Sequence, residues 1–286
     1  MYAIAGVTGH TGSVAAETLL SQGKQVRVIV RDGAKGAAWK AKGAEVAVAS
    51  LGDEAAMKRA LDGVEGVYLL LPPATSSTNP VEDNAKLSAS LASAIRAANT
   101  PHVVLLSSVG AQHADGTGPI KTLHRAEHDF AATGAALTAV RASYFQENWG
   151  ATLGALAQGV LPTFVRKDLR FPQVATKDIG RTVAAALVEG GTRGTKRVIE
   201  LAGPRDYSAE DIAAELATLT GKPVTAQDAP LDAVVPTFTS FGISAAAAEL
   251  YREMYAGIMS GHVAPETTQV RGTVEIRDTL AALLGR

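Results

Sequence analysis

Three glycines at intervals of three, Gly6, Gly9 and Gly12, follow directly on the first apolar run of the chain, Tyr2 to Ala5. A bare turn between a strand and a helix lets the backbone approach a ligand with no Cβ in the way. The helix that follows aims unpaired N–H groups and its positive dipole end at the same point, which suits the pyrophosphate of a dinucleotide. The chain has 28 glycines, so the triplet alone is weak and its context decides. Ala15, Thr18, Leu19 and Leu20 give the next segment a helical stripe that Gly23 stops, and a second apolar run then ends in Arg31. The turn is read as a dinucleotide site rather than as a turn of purely structural use.

The same alternation continues through residue 148. Strands are predicted over 2–7, 25–30, 45–49, 66–71, 102–106 and 136–141, with helices near 13–22, 53–61, 81–98 and 120–132. Strands alternating with helices predict an α/β fold, a Rossmann-type doubly wound parallel sheet. The unbroken apolar runs Val67 to Leu71 and Val103 to Leu106 suit central strands covered on both faces. Beyond residue 149 prolines punctuate shorter elements. Ser208 to Asp211 forms a capping box for a helix stopped by Gly221, and Ala247, Leu250, Met254 and Ile258 make a later stripe. Residues 1–148 are expected to form the dinucleotide-binding domain, with 175–202 returning to it as a helix and a last strand. Residues 149–174 and 203–286 are expected to form a smaller, mainly helical substrate-binding part.

Composition narrows the function. Charged residues make up 19% and the net charge is −1, with no basic block, so no footprint for nucleic acid is visible. The absence of cysteine excludes disulfides and thiolate metal sites. No stretch of about 18 apolar residues is present to span a membrane, and no leader pattern opens the chain. A cytoplasmic protein acting on a small-molecule substrate is the expectation.

Arg31 stands where the adenosine ribose of a bound dinucleotide would lie. An acid there favours NAD, whereas an arginine can hold the 2′-phosphate of NADP by charge-assisted hydrogen bonds. Asp32 beside it could serve a ribose hydroxyl, and a strand-end ion pair is the plain alternative. With Lys35 in reach, NADP (NADPH) is favoured and NAD is the alternative.

The stretches Gly-Val-Thr-Gly-His-Thr-Gly at 6–12, Val-Arg-Asp at 30–32, Leu-Asp-Gly-Val-Glu-Gly-Val at 61–67, Leu-Ser-Ser-Val at 106–109 and Arg-Ala-Ser-Tyr-Phe-Gln-Glu-Asn at 141–148 resemble the NmrA-like family. That family of atypical short-chain dehydrogenases/reductases includes NADPH quinone oxidoreductases, triphenylmethane reductases and the NmrA nitrogen regulator. The resemblance implies that Gly6, Thr8, Gly9, His10, Thr11 and Gly12 hold the pyrophosphate and Arg31 the 2′-phosphate. It further implies that Leu71 and Pro72 line the nicotinamide ribose, with Ser107, Ser108, Ser143, Tyr144 and Phe145 near the nicotinamide. One departure is Ser50, which stands where the family often has an acid beside the adenine; Asp53 is expected to cap the next helix.

Ordinary short-chain dehydrogenases protonate their substrate with a tyrosine whose pKa is lowered by a lysine four residues on. Here the residues four beyond each tyrosine are Gly6, Pro72, Asn148, Asp211, Tyr255 and Met259, and none is lysine. The catalytic residues are therefore open, with Lys121, His124, Ser107 and Ser108 as candidates to polarise an acceptor. Two readings follow. The protein transfers hydride from NADPH to a small aromatic or quinoid acceptor, or it binds NADP without turnover and reports redox state to a protein partner.

His124-Arg125-Ala126-Glu127-His128 matches a His-x-x-Glu-His zinc pattern. No further ligand supports it, so a surface histidine pair is the reading and no metal is expected. Phe145 and Trp149, four apart, share a face if helical and either floor a substrate pocket or seal a seam. His113 lies in the glycine-rich stretch 110–118, which is either a loop moving over the substrate or an exposed connection.

Overall fold

A computed structural model describes all residues 1–286. The first half alternates strand and helix: β1 (Tyr2–Ile4), α1 (His10–Ser21), β2 (Val26–Val30), α2 (Ala37–Ala41), β3 (Glu45–Val48), α3 (Glu54–Ala60), β4 (Gly66–Leu69), α4 (Pro80–Ala97), β5 (His102–Ser108), α5 (Lys121–Ala131) and β6 (Ala136–Ala142). Then follow β7 (Tyr144–Phe145), a 3₁₀ stretch Gln146–Gln158, β8 (Val160–Thr163), β9 (Phe171–Val174), α6 (Thr176–Glu189) and β10 (Lys196–Ala202). The chain closes with β11 (Asp206–Tyr207), α7 (Ala209–Thr220), β12 (Thr225–Asp228), α8 (Val234–Ser240), α9 (Ala245–Ser260), β13 (Val270–Arg271) and α10 (Ile276–Leu283).

Eight strands form one parallel sheet in the order β3-β2-β1-β4-β5-β6-β10-β13. The fold is a Rossmann-type doubly wound α/β sheet. β4 and β6 are buried along their whole length, as central strands covered on both faces must be. One face is packed by α1 and α6 through Leu19, Ile179, Val183 and Leu187. The other is packed by α3, α4 and α5 through Met57, Leu91, Ile95 and Phe130. Each fully buried large apolar side chain contributes about 1.5–3 kcal/mol.

A third cluster joins the 3₁₀ stretch to α7 and α10 through Trp149, Leu161, Tyr207, Ile212, Leu216 and Leu280. α7 begins at the expected capping box, Ser208 with Asp211, and ends at Gly221. Asp53 accepts from the Ala56 N–H and caps α3. Within the segment expected to belong to the smaller part, β13 departs from that expectation: it adds to the edge of the main sheet, with Leu201 opposite Val270. Two residues are too short a run to carry a strand pattern in sequence. No helix is long and apolar enough to cross a membrane.

Candidate functional site

The strand order reverses between β1 and β4, and a crevice opens at the carboxyl ends of strands at such a switch. The glycine turn sits there. Gly6 adopts φ +68°, a left-handed conformation that glycine takes without strain, and its carbonyl accepts the Gly9 N–H at 2.9 Å. A Cβ on Gly12 would lie 2.5 Å from the Gly6 oxygen and 2.6 Å from the Ala5 oxygen, so only glycine permits this approach of α1 to β1. No side chain caps α1, and the N–H groups of His10, Thr11 and Gly12 find no acceptor within the chain. Unmet donors at a helix N-terminus fit an anion such as a pyrophosphate. Thr8 is exposed in the turn, and Thr11 Oγ1 lies 2.8 Å from the Tyr68 hydroxyl.

Arg31 is exposed just past β2 and makes no ion pair. One carboxylate oxygen of the exposed Asp32 accepts the Ala34 N–H at 3.0 Å and caps the turn Gly33–Gly36. Lys35 is exposed in the same turn.

From His10 and Thr11 a cleft of about 610 Å³ runs across the sheet ends. Leu71 and Pro72 line it beyond β4, Ser107 and Ser108 at the end of β5, and Ser143, Tyr144 and Phe145 beyond β6. α9 roofs it with Ala247, Leu250, Met254 and Ile258, the stripe visible in sequence, together with Tyr251. The roof is tied down at its start and its middle. Near its start the Ser244 N–H donates to the Thr75 carbonyl at 2.8 Å, and Lys121 bridges to Glu253 further along at 3.0 Å.

The cleft is mostly aromatic on one side. Tyr144 stands edge-on to Phe171, centroids 5.5 Å apart, while Phe164 and Phe238 back Tyr255 and Tyr251 from outside. Phe241 is 73% exposed and takes no part. Burial pushes the Tyr144 hydroxyl above its ordinary pKa, while Tyr255 and Asn148 pull it back. Burial raises Tyr251 as well. Both phenols keep their protons at neutral pH.

The four candidates for polarising an acceptor are engaged elsewhere. Lys121 pairs with Glu253 and His124 Nδ1 lies 2.9 Å from the Ala111 carbonyl, and neither side chain lines the cleft. Ser108 donates to the Val109 carbonyl at 3.0 Å. Ser107 donates to Glu127 at 2.5 Å, and that buried carboxylate also takes a bidentate pair from Arg141, at 2.9 and 2.8 Å, and Lys196 Nζ at 2.7 Å. Burial alone would raise the Glu127 pKa; hydrogen bonds from Arg141, Lys196 and Ser107 outweigh it and hold the carboxyl below its usual range.

Trp149 and His113, expected at the substrate, lie outside the cleft lining. The segment after Phe145 is 3₁₀ with three residues per turn, so positions four apart do not share a face. Phe145 lines the cleft, whereas Trp149 enters the third core cluster and donates its indole N–H to Gln173 at 2.8 Å. His113 stacks on His262, centroids 4.1 Å apart, under the far end of α9. The His124 and His128 rings lie 4.4 Å apart, tilted by 45°, and no group of three His, Cys, Asp or Glu gathers as a metal site. Asn84, Glu147 and Tyr251 line the cleft without having been singled out from sequence as site residues. Glu147 accepts from the Thr176 N–H at 2.9 Å and so caps α6 from a distance.

Known proteins share this architecture. The chain is 28% identical over 290 residues to quinone oxidoreductase 2 of Escherichia coli, covering 100% of this chain and 94% of that protein. It is 24% identical to the NAD(P)H azoreductase of Xenophilus azovorans, covering 87% and 85%. The crystal structure of an Escherichia coli NADPH-dependent quinone oxidoreductase complexed with NADPH superposes with a TM-score of 0.79 at 28% identity, over 100% of this chain and 95% of that one. A triphenylmethane reductase from Citrobacter sp. shares the fold, with a TM-score of 0.80 at 17% identity over 100% and 99% of the two chains. The NmrA-like family profile matches residues 2–260, and the chain belongs to that family.

Proposed function

We propose that the protein is an NADPH-dependent oxidoreductase that reduces a small aromatic or quinoid acceptor. One observation carries the reading: a glycine turn with three unmet N–H donors opens directly into an aromatic-walled cleft of about 610 Å³ at the switch point of the sheet. His10, Thr11 and Gly12 would hold the pyrophosphate, Arg31 the 2′-phosphate, and Leu71, Pro72 and Ser143 to Phe145 the nicotinamide end. NADPH held there would supply the hydride for reduction of the acceptor. Tyr144 and Tyr251 offer protonated phenols to an acceptor oxygen as negative charge develops on it, and the apolar residues of α9 keep bulk water off it. The quinone, azo and triphenylmethane reductase names of the relatives all concern conjugated aromatic or quinoid acceptors, which suits such walls.

A second reading, a regulatory protein that binds NADP without turnover, draws on the engagement of Lys121, His124, Ser107 and Ser108 with other groups. One experiment separates the two. NADPH oxidation is followed with a panel of benzoquinones, naphthoquinones, azo dyes and triphenylmethane dyes. Turnover with at least one establishes the reductase; tight NADPH binding with no oxidation by any of them establishes the regulator.

A further inference from the structure

Asn84 stands in the second turn of α4, is 9% exposed, and its remaining exposure opens into the cleft. No protein group hydrogen-bonds its carboxamide. A primary amide carries two N–H donors and an oxygen with two lone pairs, and those of Asn84 face the cleft free for a ligand. Ser88, four residues on and on the same helix face, shows the contrast: it is fully buried, and it donates to Asp129 at 2.8 Å. The helix does not need Asn84 for its own start, because Pro80 opens it and Glu82 and Asp83 supply the acidic first turn.

Position indicates what the amide meets. α4 packs with α3 and α5 on the sheet face opposite α1, the helix that presents the phosphate-binding turn. Asn84 shares its side of the cleft with Thr122 and Leu123 of α5, away from the donors of the glycine turn. We propose that the Asn84 carboxamide is a specificity-determining group for the acceptor, donating an N–H to a ring oxygen. The inference rests on the reductase reading above. It makes the cleft prefer acceptors carrying a carbonyl over equally flat ones without it. The amide serves both ends of the reaction, because its oxygen accepts from the hydroxyl that the carbonyl becomes.

The test uses the full chain with Asn84→Leu and Asn84→Asp. NADPH affinity is measured by calorimetry, binding of a 1,4-naphthoquinone is measured on the NADP⁺-loaded protein without turnover, and kcat/KM is measured for that quinone and for a cationic triphenylmethane dye. Both variants are expected to lose about tenfold in quinone affinity and quinone kcat/KM, with the dye kcat/KM of Asn84→Leu changed by about twofold or less. NADPH affinity stays as in the wild type. Equal losses on quinone and dye, a weakened NADPH with unchanged quinone binding, or no change at all would each overturn the assignment. Wild-type protein that binds NADPH yet reduces none of the quinones or dyes overturns the reductase reading and this inference together; wild type that reduces dyes but neither binds nor reduces any quinone, or active wild type with insensitive variants, overturns this inference alone.

Discussion

Thr11 Oγ1 and the Tyr68 hydroxyl meet at 2.8 Å, joining the first turn of α1 to β4 across the strand that separates them. Tyr68 is fully buried and burial keeps its phenol protonated far into the alkaline range. The pair therefore pins the glycine turn to the strand on the other side of the sheet's switch. Tyr68→Phe leaves the Thr11 oxygen without its buried partner, and is expected to cost about 1–3 kcal/mol in urea unfolding. NADPH affinity falls with it, because the turn loses its tether; unchanged unfolding and unchanged affinity together would remove this role.

Two glycines of the turn do different work. A Cβ on Gly12 meets backbone oxygens at 2.5 and 2.6 Å, whereas one on Gly9 finds nothing nearer than the Gly6 oxygen at 3.4 Å. Gly9 also holds an ordinary extended conformation, φ −106°. Gly12→Ala is expected to lower the melting temperature as well as to abolish binding. Gly9→Ala keeps the wild-type melting temperature and still loses NADPH in calorimetry, because its methyl group projects where the phosphates lie. A destabilised Gly9→Ala would show that the turn is packed against protein rather than against ligand.

Arg31 is the residue proposed to separate the two pyridine nucleotides. Its guanidinium is exposed and unpaired while Asp32 is committed to the Ala34 N–H. Arg31→Ala is expected to weaken NADPH by about 1.5–3 kcal/mol, the worth of a charged hydrogen bond, and to leave NADH nearly unchanged. Equal losses for both nucleotides would mean that Arg31 does not touch the 2′-phosphate.

The parts of this site that sequence exposes are those built from neighbours in the chain. The glycine spacing, the capping box at Ser208 and the apolar runs of the central strands each act within a few residues, so pattern alone finds them. The stripe Ala247, Leu250, Met254 and Ile258 announces a helix face, yet which surface it covers depends on β5 and the segments after β4 and β6, more than a hundred residues earlier. Whether Phe145 and Trp149 share a face was open in sequence, because local pattern does not tell a 3₁₀ stretch from an α-helix; the stretch after Phe145 is 3₁₀, and Trp149 packs into the third core cluster. Glu127, Arg141 and Lys196 come from α5, β6 and β10, and no spacing links them; each reads alone as a surface charge.

That buried cluster predicts a pH effect. Glu127 is 1% exposed and Arg141 3% exposed, and their bidentate pair leaves the carboxyl pKa below its ordinary 4.5. A carboxyl with a depressed folded pKa adds stability that is complete above its unfolded pKa. That stability is lost as pH falls through the folded value. Glu127→Gln is expected to cost about 1–3 kcal/mol at neutral pH, because Arg141 loses its bidentate partner but keeps Glu266 at 3.0 Å and Glu200 at 3.6 Å. It also flattens the decline in stability below pH 4.5, since the proton-linked part is gone. Denaturant unfolding from neutral pH down to pH 3 measures both, and parallel curves for variant and wild type would exclude the linkage.

Gly118 holds the roof of the cleft in place. It has φ +62°, and a Cβ there would lie 2.0 Å from the Leu250 carbonyl oxygen and 2.9 Å from the Met254 nitrogen, both backbone atoms of α9. Backbone of a packed helix cannot yield as a side chain tip does, so Gly118→Ala must displace α9 from the sheet ends. Leu250, Tyr251 and Met254 then retreat from the acceptor, while the glycine turn, which touches neither element, keeps its geometry. The expected result is an unchanged NADPH affinity with kcat/KM for the acceptor lowered by about ten- to a hundredfold, the scale set by misplacing reactants by an ångström. Hydrogen exchange supplies the structural half of the test, because amides over Ala245–Ser260 should exchange faster in the variant. Protection of α9 at the wild-type level alongside full activity would show that the roof does not shape the reaction.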